Sequence, residues 1–144
     1  MEREKKWDGV AMKIPMGNSK DDITIRRHII ANYYRIWKSA NPSMIRYNHS
    51  LKEAIAIRFV SITETCAHAA RSFHSTLAIL HLDNILTHAK KVGTVPAKSN
   101  GNQKPFEKMI VMRYYNASIG TIRMTVGVRR RTHEKVQYCI TAID

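Results

Sequence analysis

Little in this sequence could staple a fold together or carry it across a membrane. Cysteine is scarce: Cys66 and Cys139 are the only two in 144 residues, far apart and without a C-x-x-C context. That excludes a disulfide scaffold, a zinc ribbon and a thioredoxin-like redox pair, and it fits a reducing, cytoplasmic compartment. No apolar run approaches transmembrane length. The charged start Met1-Glu2-Arg3-Glu4-Lys5-Lys6 lacks the apolar stretch that follows in a secretory signal. Acidic residues are few and dispersed, 11 Asp and Glu in all, which disfavours a two-metal nuclease built on clustered carboxylates. The chain has no Walker loop, no G-x-G-x-x-G, no H-E-x-x-H and no G-x-S-x-G. Neither a metal nor an organic cofactor is expected.

What the sequence has in excess is positive charge. Lys and Arg number 24, for a net +13. Between Lys90 and Lys135 eleven basic residues face only Glu107 and Glu134, so +9 of the +13 sits in that third of the chain. Self-repulsion of this kind opposes folding, and attraction to a polyanion is its natural reason. The expected partner is nucleic acid, RNA before DNA, and not a membrane. An acidic protein, or charge kept for solubility, are the other readings. The oligomeric state is left open.

Residues 1–20 carry Gly9, Pro15, Gly17, Asn18 and Ser19 with little periodicity, and read as a tail before a single domain over 21–144. Asp21 or Asp22 can cap a helix to about Ser39, with Ile25, Ile29, Ile36 and Trp37 on one face and Asn41-Pro42 ending it. A second helix is expected to start at Ser50, before Leu51-Lys52-Glu53-Ala54. Ser61-Ile62-Thr63-Glu64 fits a capping box opening a short helix to about Arg71. The stretch 72–91 reads as the strongest helix, with Ser75 as a cap and Ala78, Leu82, Ile85, Leu86 and Ala89 as its apolar stripe. Gly93 and Pro96 follow as stop signals, and 93–107 reads as a mobile loop. After Phe106 the period changes to two, giving strands near 108–114, 119–128 and 135–143. The expected fold is α+β: N-terminal helices packed on a C-terminal antiparallel sheet of three to four strands.

Seven histidines are many for this length, and His74, His81 and His88 recur every seventh residue. Seven helical residues span about 10 Å, so the three cannot share one metal. They read as a seam of half-buried histidines, or, functionally, as a proton shuttle at His81 or His74. Arg123, flanked by Thr121 and Thr125 in a strand, suits a phosphate clamp, and Arg113 can assist it. The same polar row, with Gln137, Cys139 and Thr141, can equally be the wet face of a sheet. Arg129, Arg130, Arg131, His133 and Lys135 collect at one hairpin tip, and Lys90 and Lys91 add to the nucleic-acid-binding set. Tyr33, Tyr34, Tyr114 and Tyr115 are candidates for base stacking or for ordinary packing.

Helices followed by a small antiparallel meander, in a basic chain rich in His and Arg, resemble the barnase–EndoU–RelE-like superfamily of small ribonucleases. The likeness covers about residues 50–144, including the segment from Ser75 to Lys91 and the strand Val-Gln-Tyr-Cys-Ile-Thr-Ala142. It implies metal-independent cleavage of RNA, with Arg123 on the scissile phosphate and His81 or His74 moving the proton. Domains of this kind also serve in phage and mobile-element proteins. The alternatives are a DNA- or RNA-binding module without turnover and a protein-interaction module docking on an acidic partner.

Overall fold

The computed structural model describes residues 14–143. The first helix, α1, runs Lys20–Ala40. Its cap is Ser19, whose hydroxyl accepts from the Asp22 amide at 3.1 Å, so Asp21 and Asp22 sit in the first turn, where negative charge meets the positive end of the helix dipole. The segment before it is not free. Ile14 is buried, and Arg26, wholly buried, donates to the carbonyls of Pro15 (2.8 Å), Gly17 (2.6 Å) and Ala70 (2.7 Å). The part of the expected tail that precedes residue 14 lies outside the described residues.

The expected helix after Ser50 is instead a hairpin of β1 (Ile45–Asn48) and β2 (Glu53–Ala56). Asn48 makes a cap-like bond, accepting from the Leu51 amide at 2.8 Å, but the chain turns back because Lys52 takes the left-handed region at φ 57°. Helix α2 follows at Phe59–Ala69, with Arg58 in the cap position, three residues earlier than the capping-box reading places it. Ser61 is its third residue rather than its cap, and its hydroxyl accepts from the Arg58 amide at 3.0 Å.

The stretch expected to be one long helix is three pieces: α3 (Phe73–Ala78), a 3₁₀ turn (Ile79–His81) and α4 (Leu82–His88). Ser72, not Ser75, caps α3, accepting from the Ser75 amide at 3.0 Å. The break puts His74, His81 and His88 on three different segments, so they form no continuous seam. The expected loop is also ordered over part of its length, since Lys90–Pro96 is a strand, β3, paired with β4 (Phe106–Asn116). Gly93 sits beside a register shift in that pairing. Strands β5 (Gly120–Arg129) and β6 (Lys135–Ala142) complete the sheet as the period-two pattern predicts.

The fold is α+β, but the sheet has six strands and is mixed. Its order is β1-β2-β6-β5-β4-β3, antiparallel except where β2 runs parallel to the start of β6. Ile122, Met124, Val126 and Val128 of β5 face α1, α3 and α4 and form the main core with Ile30, Tyr34, Trp37, Ile79, Leu82 and Ile85. That side is termed the inner face; the outer face carries the alternate residues. In β6 the alternation breaks. Thr125 pairs with Cys139 and Val126 with Gln137, so Tyr138 is an extra residue in a bulge. Val136 and Tyr138 therefore pack outward with Phe106 and Met109, whereas Ile140 and Ala142 pack inward.

Beyond its two pairings with β2, the free edge of β6 is covered by α2. A buried polar network sets this contact. The Tyr34 hydroxyl donates to Gln137 Oε1 (2.6 Å), Gln137 Nε2 donates to Thr65 Oγ1 (3.0 Å), and the Ser61 hydroxyl donates to the Gln137 carbonyl. Each buried polar group thereby keeps a partner, which is what makes the burial affordable in free energy. Burial holds the Tyr34 hydroxyl well above its ordinary range, so it remains a donor.

Candidate functional site

With α2 locked at the β6 edge, its residues Val60, Glu64 and His68 follow at spacing four and border the outer face of the sheet. Val60 packs on the Phe106–Met109–Val136 cluster, and His68 lines a cleft of about 390 Å³. Arg123, Thr125, Cys139 and Thr141 form the cleft's sheet side. Val95, Pro96, Lys98 and Gln103 close it from β3 and the segment after it. Tyr138 and Met109 stand at its apolar end, where the Tyr138 ring meets Phe106 edge-on at 6.1 Å.

The charge pattern of this face follows from strand register. Lys90 is opposite Arg113, Arg113 opposite Arg123, and Arg123 opposite Thr141. Direct cross-strand partners project on the same face, with Cβ atoms about 4.5–5.5 Å apart. Three cations thus cross three strands in one row. Among the described residues none of the three has a carboxylate within 4.0 Å. Like charges in that arrangement oppose sheet formation, and a bound anion would relieve them.

His68 Nε2 lies 3.3 Å from Glu64 Oε2, one helical turn away, leaving Nδ1 as the ring nitrogen without a partner among the described residues. The Asn102 amide also donates to Glu64, so the carboxylate is held from two sides. Two other groups of the cleft are poor proton acceptors or nucleophiles at neutral pH. Burial, aided by the Glu64 charge, pushes the Cys139 thiol up to about 12, with Arg123 opposing. Burial and then the Glu64 charge likewise raise the Tyr138 hydroxyl. The cleft therefore offers an anchored imidazole beside unpaired arginine. Among the described residues, no three of His, Cys, Asp and Glu come together as metal ligands.

The structure brings some of the sequence-derived candidates together and separates others. Arg123 and Arg113 share the outer face, and Lys90 joins them. His81 belongs to the helical layer packed on the inner face, half-buried, and burial lowers its basicity. The sheet lies between it and Arg123. His74, exposed at the start of α3 with its ring 5.4 Å from Phe73, does not line the cleft either. Lys91, partnered with Met112, projects to the inner face, opposite its neighbour Lys90.

The hairpin tip is less free than its sequence suggests. Arg129 donates to Glu134 Oε1 at 3.0 Å and Lys135 pairs with Glu53 at 3.1 Å, while His133 lies 3.6 Å from Glu107. Arg130 and Arg131 remain without a carboxylate among the described residues. Tyr33 and Tyr34 are buried in the core and available to no base, and Tyr115 is exposed. His68, Glu64, Tyr138 and Lys98 are absent from the sequence-derived site. The Glu64–His68 spacing was readable, but nothing local says that this helix edge borders the arginine row.

Set against known protein families, curated proteins and solved structures, the chain matches none of them.

Proposed function

We propose that the protein binds RNA in the outer-face cleft and cleaves it there by metal-independent attack of the ribose 2′-hydroxyl. The observation that carries this reading is the meeting, in one open cleft, of Arg123 with the Glu64-anchored His68. Arg123 and Arg113 suit a phosphodiester because the planar fork of a guanidinium matches two phosphate oxygens, and Lys90 extends the row by a third charge. His68 Nδ1 takes the 2′-hydroxyl proton, the 2′-oxygen attacks phosphorus, and the 5′-oxygen leaves with a proton from water. The products are a 2′,3′-cyclic phosphate and a 5′-hydroxyl. Glu64 steadies the imidazolium that forms. Tyr138, with its ring against Phe106, provides an apolar plane beside the phosphate position on which a base can stack.

The test is end-labelled RNA and single-stranded DNA of one sequence, incubated with the protein in EDTA. Discrete RNA fragments ending in cyclic phosphate, with DNA intact, are expected. His68→Gln should slow cleavage at least about 100-fold with little change in affinity, as loss of a general base does. Arg123→Ala should lose both cleavage and affinity.

A second reading, a binding module without turnover, draws on one observation. His68 is the only imidazole among the described residues lining the cleft, and 46% of its side chain is exposed. Intact RNA, with affinity that falls in Arg123→Ala, selects that reading. Weak binding that is equal for every polyanion moves the partner to an acidic protein.

A further inference from the structure

We infer that a second anion site, separate from the cleft, lies on the inner face of the sheet and takes a terminal or free phosphate group. A pit of about 290 Å³ opens there between the β1–β2 turn, β3 and the β5–β6 turn. Its floor is apolar, built from Ile110, Val128 and Leu51, and its rim carries Lys91, Lys108, Lys135 and His133. Register explains the convergence. Lys108 and Lys135 flank Val128 as its partners on either side, and Lys91 enters from β3 opposite Met112. The turn closes over them, the Lys91 amide donating to Ser50 Oγ at 3.0 Å.

The rim is preorganised and undercompensated. Lys135 is only 13% exposed, its ammonium held by Glu53 (3.1 Å) and by the His133 carbonyl (2.9 Å). Among the described residues Glu53 is the single carboxylate lining the pit, and it is engaged with Lys135, while the His133 ring lies 3.6 Å from Glu107. Lys91 and Lys108 have no ion pair among the described residues. His133 adopts φ 60°, a left-handed conformation unfavourable for a side chain, and its carbonyl, turned to Lys135, helps hold that ammonium at the pit. Lysines from three strands border this one pit, Lys91 and Lys108 without a carboxylate partner among the described residues, and point charges of this kind suit the several oxygens of a phosphate. The pit is walled from three sides, which favours a phosphate that ends a molecule over one inside a passing strand.

The inference stands independently of the cleft, and its test keeps the two apart. Inorganic pyrophosphate is titrated into ¹⁵N-labelled protein at near-physiological salt while backbone amide shifts are followed. Saturable shifts are expected at Ser50, Lys91, Lys108 and His133, with affinity at least tenfold weaker in the Lys91→Ala/Lys108→Ala variant. The same shifts should persist in Arg113→Ala/Arg123→Ala. Lys91 and Lys108 are both exposed, so the first variant keeps its fold, which its unfolding midpoint verifies. Shifts that fail to saturate, that survive in Lys91→Ala/Lys108→Ala, or that vanish only in the arginine variant overturn the site. Short oligonucleotides with a 5′-phosphate and a 5′-hydroxyl then identify the source. Competition by the phosphorylated one alone assigns a strand end; competition by neither assigns a free phosphate compound.

Discussion

Arg113 and Arg123 are direct partners across the antiparallel β4–β5 ladder, both project from the outer face, and neither has a carboxylate within 4.0 Å among the described residues. A sheet gains from opposite charges at such positions and loses from like ones, by about 0.2–1 kcal/mol per pair. Arg113→Thr is therefore expected to raise unfolding free energy by a few tenths of a kcal/mol, read from urea denaturation. The same substitution should weaken RNA binding roughly tenfold, as loss of one charge-assisted contact does. A variant that binds better as it becomes more stable would contradict an anion-binding role for the row.

His81 separates the two proton-shuttle assignments. Burial lowers its basicity, so the folded protein binds a proton there less readily than the unfolded chain does. Stability must then fall as pH drops below about 6.5, the ordinary histidine value, toward the lower folded one. His81→Gln should flatten that part of the stability profile and leave RNA cleavage unchanged, because the residue lies across the sheet from Arg123.

Glu134 is held by two arginines, Arg58 at 2.8 Å and Arg129 at 3.0 Å. Burial pushes its carboxyl up, but the hydrogen bonds and charges of Arg58 and Arg129 outweigh burial and hold it below the ordinary range. Its stabilisation is thus present above about pH 4.3 and lost as pH falls through the folded value. Glu134→Gln should cost about 1 kcal/mol at neutral pH, since both pairs are partly exposed, and should remove this acid-linked loss. It also frees Arg129, so polyanion affinity should rise and depend more steeply on salt. Unchanged salt dependence would mean that Arg129 does not reach the polyanion.

Gly127 lies under the Phe106 ring, and a Cβ there would come within 2.7 Å of three ring carbons. Gly127→Ala must displace the Phe106 ring, which packs with Met109 and meets Tyr138 edge-on. A loss of about 1–3 kcal/mol is expected from overpacking. Tyr138, deprived of its edge-on neighbour, should show altered near-ultraviolet circular dichroism. An alanine variant as stable as the parent would place the ring elsewhere.

By itself the sequence determined the features that depend on a few neighbouring residues. β5 and the α+β order were legible because helix and strand periods repeat within a turn or two. Arg123 could be assigned to the polar side of β5 for the same reason. The α1 face expected from Ile25, Ile29 and Ile36 is not the buried one: Ile25 and Ile36 are exposed, and the helix buries Arg26, Ile30, Tyr33, Tyr34 and Trp37. Local signals failed where long-range contacts overrode them. The cap-like bond of Asn48 closes a hairpin because the strands it joins pack against α4 and pair with β6, not because its own chemistry differs from that of a helix cap. The even alternation of β6 hid a bulge at Tyr138 that only pairing with β5 reveals.

Tertiary structure alone decided which groups share a site. Lys90, Arg113 and Arg123 meet through register, set by burial of the opposite faces of β4 and β5 and by the pairing of β3 along β4. His68 joins them because Ser61 and Thr65 bind Gln137, contacts 76 and 72 residues apart in the chain. His81 stands across the sheet from Arg123, because the 3₁₀ turn keeps it in the helical layer on the inner face. Periodicity tells which side of its own element a residue occupies. Which two elements then face each other depends on how buried apolar and polar surfaces are matched across the whole chain.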